Sequence, residues 1–187
     1  AIICPDKKTK ARIDYLKNFG FSDETTIVAT GINGKMNEVQ AAFGLLQLKS
    51  IDKALSERKI IADYYYSKLS GVPGISFLHS EEDVEWNYAY FPIFINNDYG
   101  IKRDELYSML KEEGIYTRRY FYPLISTFPM YRSFASSESE NLKVATNKSE
   151  QILCLPIYPG LEEKSLDAIV NFIYKFSRPL QELKNSA

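Results

Sequence analysis

Apolar positions along the chain fall at helical spacing in five stretches and in short continuous or alternating runs in four, and this contrast predicts the order of elements. Ala1 to Cys4 reads as a strand, and Ile13 with Leu16 gives an inner side to a helix near Lys7 to Lys17. Met36, Val39, Phe43 and Leu46 follow the helical period, while Ala41, Ala42 and Gly44 leave the other side thin enough for a second backbone to pack closely. That helix is therefore expected to be buried. Ile51, Leu55, Ala62, Tyr65 and Leu69 mark a long amphipathic helix that stops near Gly71-Val72-Pro73-Gly74, with a length suited to a connector between lobes.

Beyond Gly74 the texture changes to β-like runs at Ile75 to Leu78 and Tyr88 to Ile95, with a third strand expected around Ile115 to Thr117. Leu106, Met109 and Leu110 form the inner face of a helix closed by Gly114. Leu166, Ile169, Val170, Ile173 and Phe176 form a last amphipathic helix, interrupted near Pro179. The polar stretch from Gly20 to Gly34 is expected to be a loop. By pattern alone this is a mixed α and β chain, helical first and α+β after a boundary near Gly71 to Gly74.

Composition narrows the class. With 187 residues, 45% hydrophobic and 25% charged, the chain suits one ordinary globular domain or two small lobes. Lys plus Arg at 23 against Asp plus Glu at 24 leaves a net charge of -1 and no long basic stripe, which argues against nucleic-acid partners. No apolar run approaches the roughly 20 residues that span a bilayer. Cys4 and Cys154 lie far apart in apolar runs, a usage that suits reduced, buried thiols and a cytoplasmic setting.

The candidate chemistry concentrates where a glycine-bracketed polar loop opens directly into a helix, in the run Gly31-Ile32-Asn33-Gly34-Lys35-Met36-Asn37-Glu38-Val39-Gln40-Ala41-Ala42-Phe43-Gly44-Leu45-Leu46-Gln47-Leu48. Gly31 and Gly34 can take a positive φ or let a ligand approach the backbone. They free Asn33, which both donates and accepts, and Lys35, a point positive charge. The bland reading is a core helix entered by an ordinary Gly/Asn turn.

The residue string itself resembles the G-x-N-x-(R/K)-M-x-E-x-Q-A-A-x-G-x-x-Q-L signature of the DegT/DnrJ/EryC1/StrS family. Its members are pyridoxal-phosphate-dependent aminotransferases acting on nucleotide-linked keto sugars. Arg58 and the Tyr64 to Tyr66 cluster resemble that family's R-x-x-x-A-x-x-Y helix. Gly114-Ile115-Tyr116-Thr117-Arg118-Arg119-Tyr120-Phe121-Tyr122-Pro123-Leu124 resembles its G-I-x-T-R-x-Y-x-x-P-L segment, and Cys154-Leu155-Pro156-Ile157-Tyr158-Pro159-Gly160-Leu161 its L-P-x-x-P-x-L segment. The resemblance covers almost the whole chain.

The resemblance implies an α/β protein of the fold type I class, of which this chain is the carboxy-terminal part. Residues 1–72 would be the end of the large cofactor domain with its connecting helices, and residues 73–187 a small α+β domain. The lysine that forms the Schiff base is expected upstream of Ala1, so no catalytic residue is assigned within the chain. Asn33 is the expected cofactor contact, reaching the pyridoxal phosphate of a partner subunit in a homodimer. Lys35, Tyr120 and Arg118 are the expected substrate contacts. Two adjacent arginines on a strand face opposite ways, so only one of Arg118 and Arg119 can face a given pocket.

The implied reaction takes an amino group from glutamate and passes it to a nucleotide-linked keto sugar, with dTDP-4-keto-6-deoxyglucose the acceptor whose enzymes the texture resembles most and the 3-keto sugars next. The product would serve a surface polysaccharide such as O-antigen. Two other classes stay open: a family dehydratase with histidine in place of the lysine, and a non-enzymatic interaction module if the native chain begins at Ala1. His79 has no metal-ligand spacing around it and is expected at the surface beside Glu81-Glu82-Asp83, and Cys154 has no histidine nearby in sequence to activate it.

Overall fold

The computed structural model describes residues 2–78 and 83–177; His79 and Pro179 fall outside them. The chain divides into two compact units, Ala1–Ile51 and Asp52–Ala187.

The first unit holds helices α1 (Lys7–Leu16) and α2 (Glu38–Leu48) and the loop between them. Asp6 opens α1 by accepting the Thr9 backbone N–H at 2.7 Å, satisfying one of the donors that a helix start leaves free. At the other end the loop supplies what α1 lacks: Gly20 N–H donates to Tyr15 O at 2.8 Å, Ile32 N–H to Leu16 O at 2.8 Å and Gly34 N–H to Lys17 O at 2.8 Å. The stretch from Gly20 to Gly34 is thus irregular, as expected, yet tied down at both ends. The strand expected at Ala1 to Cys4 is absent: residues 2–4 pair with nothing among the described residues, and a strand without a neighbour has no ladder to hold it.

α2 starts with a reciprocal cap, in which Asn37 Oδ1 accepts Gln40 N–H at 2.8 Å and the Gln40 side chain accepts Asn37 N–H at 3.2 Å. The helix forms where the period places it, but the burial expected of it does not follow. Phe43 is 63% exposed and Leu46 60%. Among the described residues of this unit only Gly20 is buried, so there is no local core for the apolar face to join.

The second unit contains α3 (Ile51–Leu69, apart from its first residue), β1 (Ile75–Phe77), β2 (Phe91–Ile95), α4 (Arg103–Glu112), α5 (Lys143–Gln151), β3 (Ile152–Leu155) and α6 (Glu163–Lys175). The strands form one antiparallel sheet in the order β1-β2-β3, with Ile75 opposite Ile95 and Phe91 opposite Leu155. Phe91, Ile93, Ile95, Leu153 and Leu155 share one face. They join Ile61, Ala62, Tyr65 and Leu69 of α3, Leu106 and Leu110 of α4, and Leu166, Ile169, Val170 and Ile173 of α6 in a single core. α3 is therefore part of this unit's core, and the turn at Gly71 to Gly74 lies inside the unit.

The third strand is Ile152–Leu155, not Ile115 to Thr117. The latter leaves α4 through Gly114 without joining the ladder, and the residue after it makes a single backbone bridge to the sheet: Arg118 N–H donates to Cys154 O at 3.0 Å, and Cys154 N–H to Arg118 O at 2.7 Å. That exchange explains how a proline sits in the central strand. Cys154 spends both backbone groups on Arg118, so its pairing with Pro92 is a non-hydrogen-bonded one and needs no donor from β2. On its other side Pro92 lies just past the last residue of β1, where no ladder partner is waiting.

Candidate functional site

The sheet face opposite the core carries Pro92, Ile152 and Cys154, and there the chain builds a small aromatic pocket. It has a volume of about 220 Å³, and Trp86, Tyr90, Tyr120 and Phe121 close over those three residues. Tyr120 meets Tyr90 edge to face at 5.2 Å between ring centroids and stacks on Phe121 at 4.9 Å. The pocket is large enough for one ring-sized group. Its base is chemically quiet, because burial pushes the Cys154 thiol up from its ordinary range and a thiol held protonated is a poor nucleophile.

Arg118 and Arg119 go to different partners, as expected, although only Arg118 pairs with the sheet and neither lies in a strand. Arg118 is exposed, its guanidinium 5.8 Å from the Tyr120 ring, and it makes no salt bridge among the described residues. Arg119 turns away and donates from Nη1 to Asp104 Oδ1 at 2.9 Å, with its guanidinium 4.3 Å from the Tyr107 ring. The structure thus brings Arg118 and Tyr120 together and leaves the Arg118 charge available to an anionic ligand.

In the first unit, Asn33 sits between two anchored neighbours, since Ile32 and Gly34 each donate a backbone N–H to the end of α1. Its amide is exposed and makes no side-chain hydrogen bond among the described residues. Gly31 is required by close approach rather than by a ligand: a Cβ there would lie 2.3 Å from Gly20 N and 2.6 Å from Leu16 O. Lys35 is no free loop lysine. Its Nζ donates to Asn18 Oδ1 and lies 5.3 Å from the Phe19 ring centroid. Both contacts orient the ammonium, and neither neutralises it.

This donor set suits a phosphate. An exposed amide donor and an oriented, uncompensated cation sit two residues apart on a loop whose backbone is already fixed, so little ordering remains for a ligand to impose. Among the described residues no cluster of His, Cys, Asp or Glu could hold a metal ion, and no helix is long and apolar enough to cross a membrane.

Sequence reading singled out Tyr120 but missed Trp86, Tyr90 and Phe121, although the dense aromatic run Trp86-Asn87-Tyr88-Ala89-Tyr90-Phe91 was a visible signal. It also missed Asn18 and Phe19. Nothing in a linear sequence shows that a residue before the loop will meet Lys35 after it.

Comparison with known proteins matches residues 1–174 to the DegT/DnrJ/EryC1/StrS aminotransferase family. The chain is 49% identical over 173 residues to a dTDP-4-amino-4,6-dideoxy-D-glucose transaminase of Escherichia coli, covering 92% of this chain and 47% of that protein. It is 43% identical over 173 residues to a transaminase of the same name from Shigella dysenteriae, with the same coverage of 92% and 47%. Among solved structures it superposes with a TM-score of 0.81 on DesV of S. venezuelae in complex with a ketimine intermediate, at 27% identity over 92% of this chain and 45% of that one. DesI in the presence of its TDP-sugar product gives a TM-score of 0.81 at 26% identity, covering 98% and 46%. The chain spans about half the length of these relatives, and the likeness bears out the expected fold type I class.

Proposed function

The chain belongs to the DegT/DnrJ/EryC1/StrS aminotransferase family, and we propose that the full-length protein transfers an amino group from glutamate to a nucleotide-linked keto sugar, with dTDP-4-keto-6-deoxyglucose as acceptor. The observation that carries this reading is the fixed loop that presents Asn33, exposed and without a side-chain partner among the described residues, beside the oriented ammonium of Lys35. Relatives named as dTDP-4-amino-4,6-dideoxy-D-glucose transaminases support the choice of sugar.

Pyridoxal phosphate, the expected cofactor, would supply the electron sink, and the protein supplies binding and orientation. Asn33 would hold the cofactor phosphate of a neighbouring subunit in a homodimer, donating from its amide without adding a charge that must be desolvated. Lys35 would meet the negative charge of the nucleotide diphosphate; in the second unit the Tyr120 ring would line the sugar pocket, with Arg118 beside it as a further substrate contact. On this reading residues 1–72 are the end of the large cofactor domain and its connecting helices, of which α3 packs into the core of the small domain formed by residues 73–187. The product is an amino-deoxy sugar nucleotide made in the cytoplasm for a surface polysaccharide such as O-antigen.

The test is an amino-transfer assay on the full-length protein with glutamate and the 4-keto sugar nucleotide, following 2-oxoglutarate and the aminated sugar by mass spectrometry. Stoichiometric formation of both is expected. Failure to aminate any keto sugar nucleotide, with glutamate and cofactor present, would overturn the proposal, and amination of the 3-keto sugar alone would overturn the choice of acceptor.

A further inference from the structure

The turn that carries Tyr120 is held from two sides, and only one of them is the sheet. On the sheet side Arg118 is locked to Cys154 by the paired backbone bonds. On the other side Arg119 reaches Asp104, and Tyr122 N–H closes the turn onto Arg119 O at 2.7 Å. Asp104 is in turn fixed by Arg103, whose Nε lies 2.7 Å from the same carboxylate oxygen as an ion pair rather than an aligned hydrogen bond.

Arg103 is the buried part of this arrangement. It is only 4% exposed, its Nη1 donates to Ser149 O at 3.1 Å and to Ile152 O at 2.9 Å, and its guanidinium lies 4.7 Å from the Tyr122 ring. The first turn of α4, the last turn of α5 and the first residue of β3 therefore meet at one buried cation. Asp104 carries that rigid point out to Arg119, the residue immediately before Tyr120. Asp104 is itself 56% exposed, so its pair with Arg119 adds little to stability and its effect is on geometry.

We propose that Asp104 is a positioning residue for the acceptor pocket, setting the Tyr120 ring through Arg119; the inference rests on Tyr120 contacting the sugar as argued above. Without Asp104 the Arg119 side chain loses its only salt bridge among the described residues, the turn from Arg118 to Tyr122 is left with ring contacts alone on the side away from the sheet, and the Tyr120 ring can shift from its edge-to-face contact with Tyr90.

The experiment compares Asp104→Asn, Arg119→Ala and Tyr120→Ala in the full-length enzyme, with KM for the sugar nucleotide measured separately from the rate of the glutamate half-reaction. Asp104→Asn and Arg119→Ala are each expected to raise that KM by about tenfold and to leave the glutamate half-reaction unchanged. Arg119→Ala leaves the Arg103 pair in place and serves as the informative variant if Asp104→Asn unfolds. Asp104→Asn combined with Tyr120→Ala is expected to raise KM no further than Tyr120→Ala alone, which a general structural role would not produce. A raised KM for Tyr120→Ala with unchanged values for Asp104→Asn and Arg119→Ala overturns the positioning role alone. An unchanged KM for Tyr120→Ala overturns the assignment of the pocket, and the positioning role with it.

Discussion

Tyr65, in the buried half of α3, donates its hydroxyl proton to the backbone carbonyl of Pro156 at 3.0 Å, so the long helix is fastened to the segment that follows the last strand. The ring is fully buried and packs 4.9 Å from Phe91. Tyr65→Phe keeps the ring and leaves the Pro156 carbonyl without this donor. We expect a loss of about 1 to 2 kcal/mol in urea unfolding with an unchanged m-value. A neutral result would mean that the carbonyl finds another donor.

The same hydroxyl, with that of Tyr99, makes stability depend on alkaline pH. Tyr99 donates to Ile173 O at 2.6 Å, and burial pushes both phenols above their ordinary value of 10.0. Below that value folded and unfolded chains both keep these protons, and the contribution is complete. As pH rises past it the unfolded chain releases protons that the folded chain retains, so stability falls. Urea midpoints measured from about pH 8 to 11 should be level and then drop, and Phe at both positions should make the drop shallower.

Gly74 and Gly71 share a positive φ, +80° and +86°, but not a neighbourhood. A Cβ on Gly74 would lie 2.0 Å from Tyr99 N, whereas nothing stands within 4 Å of one on Gly71. Gly71→Ala should cost only the left-handed strain, about 1 to 2 kcal/mol. Gly74→Ala must in addition push the backbone at Tyr99 aside, and we expect a loss above about 3 kcal/mol by thermal or chemical unfolding. Equal costs at the two sites would show that the Gly74 to Tyr99 contact yields easily.

Thiol labelling should distinguish the two free cysteines. Cys154 is buried, with its thiol pushed up by desolvation, and Cys4 is half-buried in the first unit. A neutral alkylating reagent should modify Cys4 quickly and Cys154, 4% exposed and held protonated at the pocket base, far more slowly, as read by intact mass. Fast double labelling would contradict the burial of the pocket base.

Five of the six α-helices among the described residues were legible because their apolar period runs over ten or more residues; α5, with nine residues and a mostly polar sequence, was not. Leu166, Ile169, Val170 and Ile173 lie in the core as their spacing implied. The third strand was not legible. Ile152–Leu155 follows α5 without a break, and four residues are too few for a period of two to declare itself. Ile115 to Thr117 had the better composition but no neighbour beyond Arg118. For the candidate site, the sequence exposed Asn33, Lys35, Arg118 and Tyr120 through a family string, while the aromatic partners of Tyr120 and the anchor of Arg119 depend on long-range packing. The apolar face of α2 shows the same limit from the other direction, since a period reports amphipathicity and not what covers it.

The opposite fates of Arg118 and Arg119 also bear on how such a protein can change. One arginine is committed to Asp104 and Tyr107, and replacing it disturbs the turn whatever ligand is present. Its neighbour enters the sheet through backbone atoms alone, which any residue except proline can supply. Position 118 can therefore vary in charge, length and hydrogen-bonding character without altering the scaffold. Selection for a new anionic partner has a site at which to act one residue away from a site where it does not.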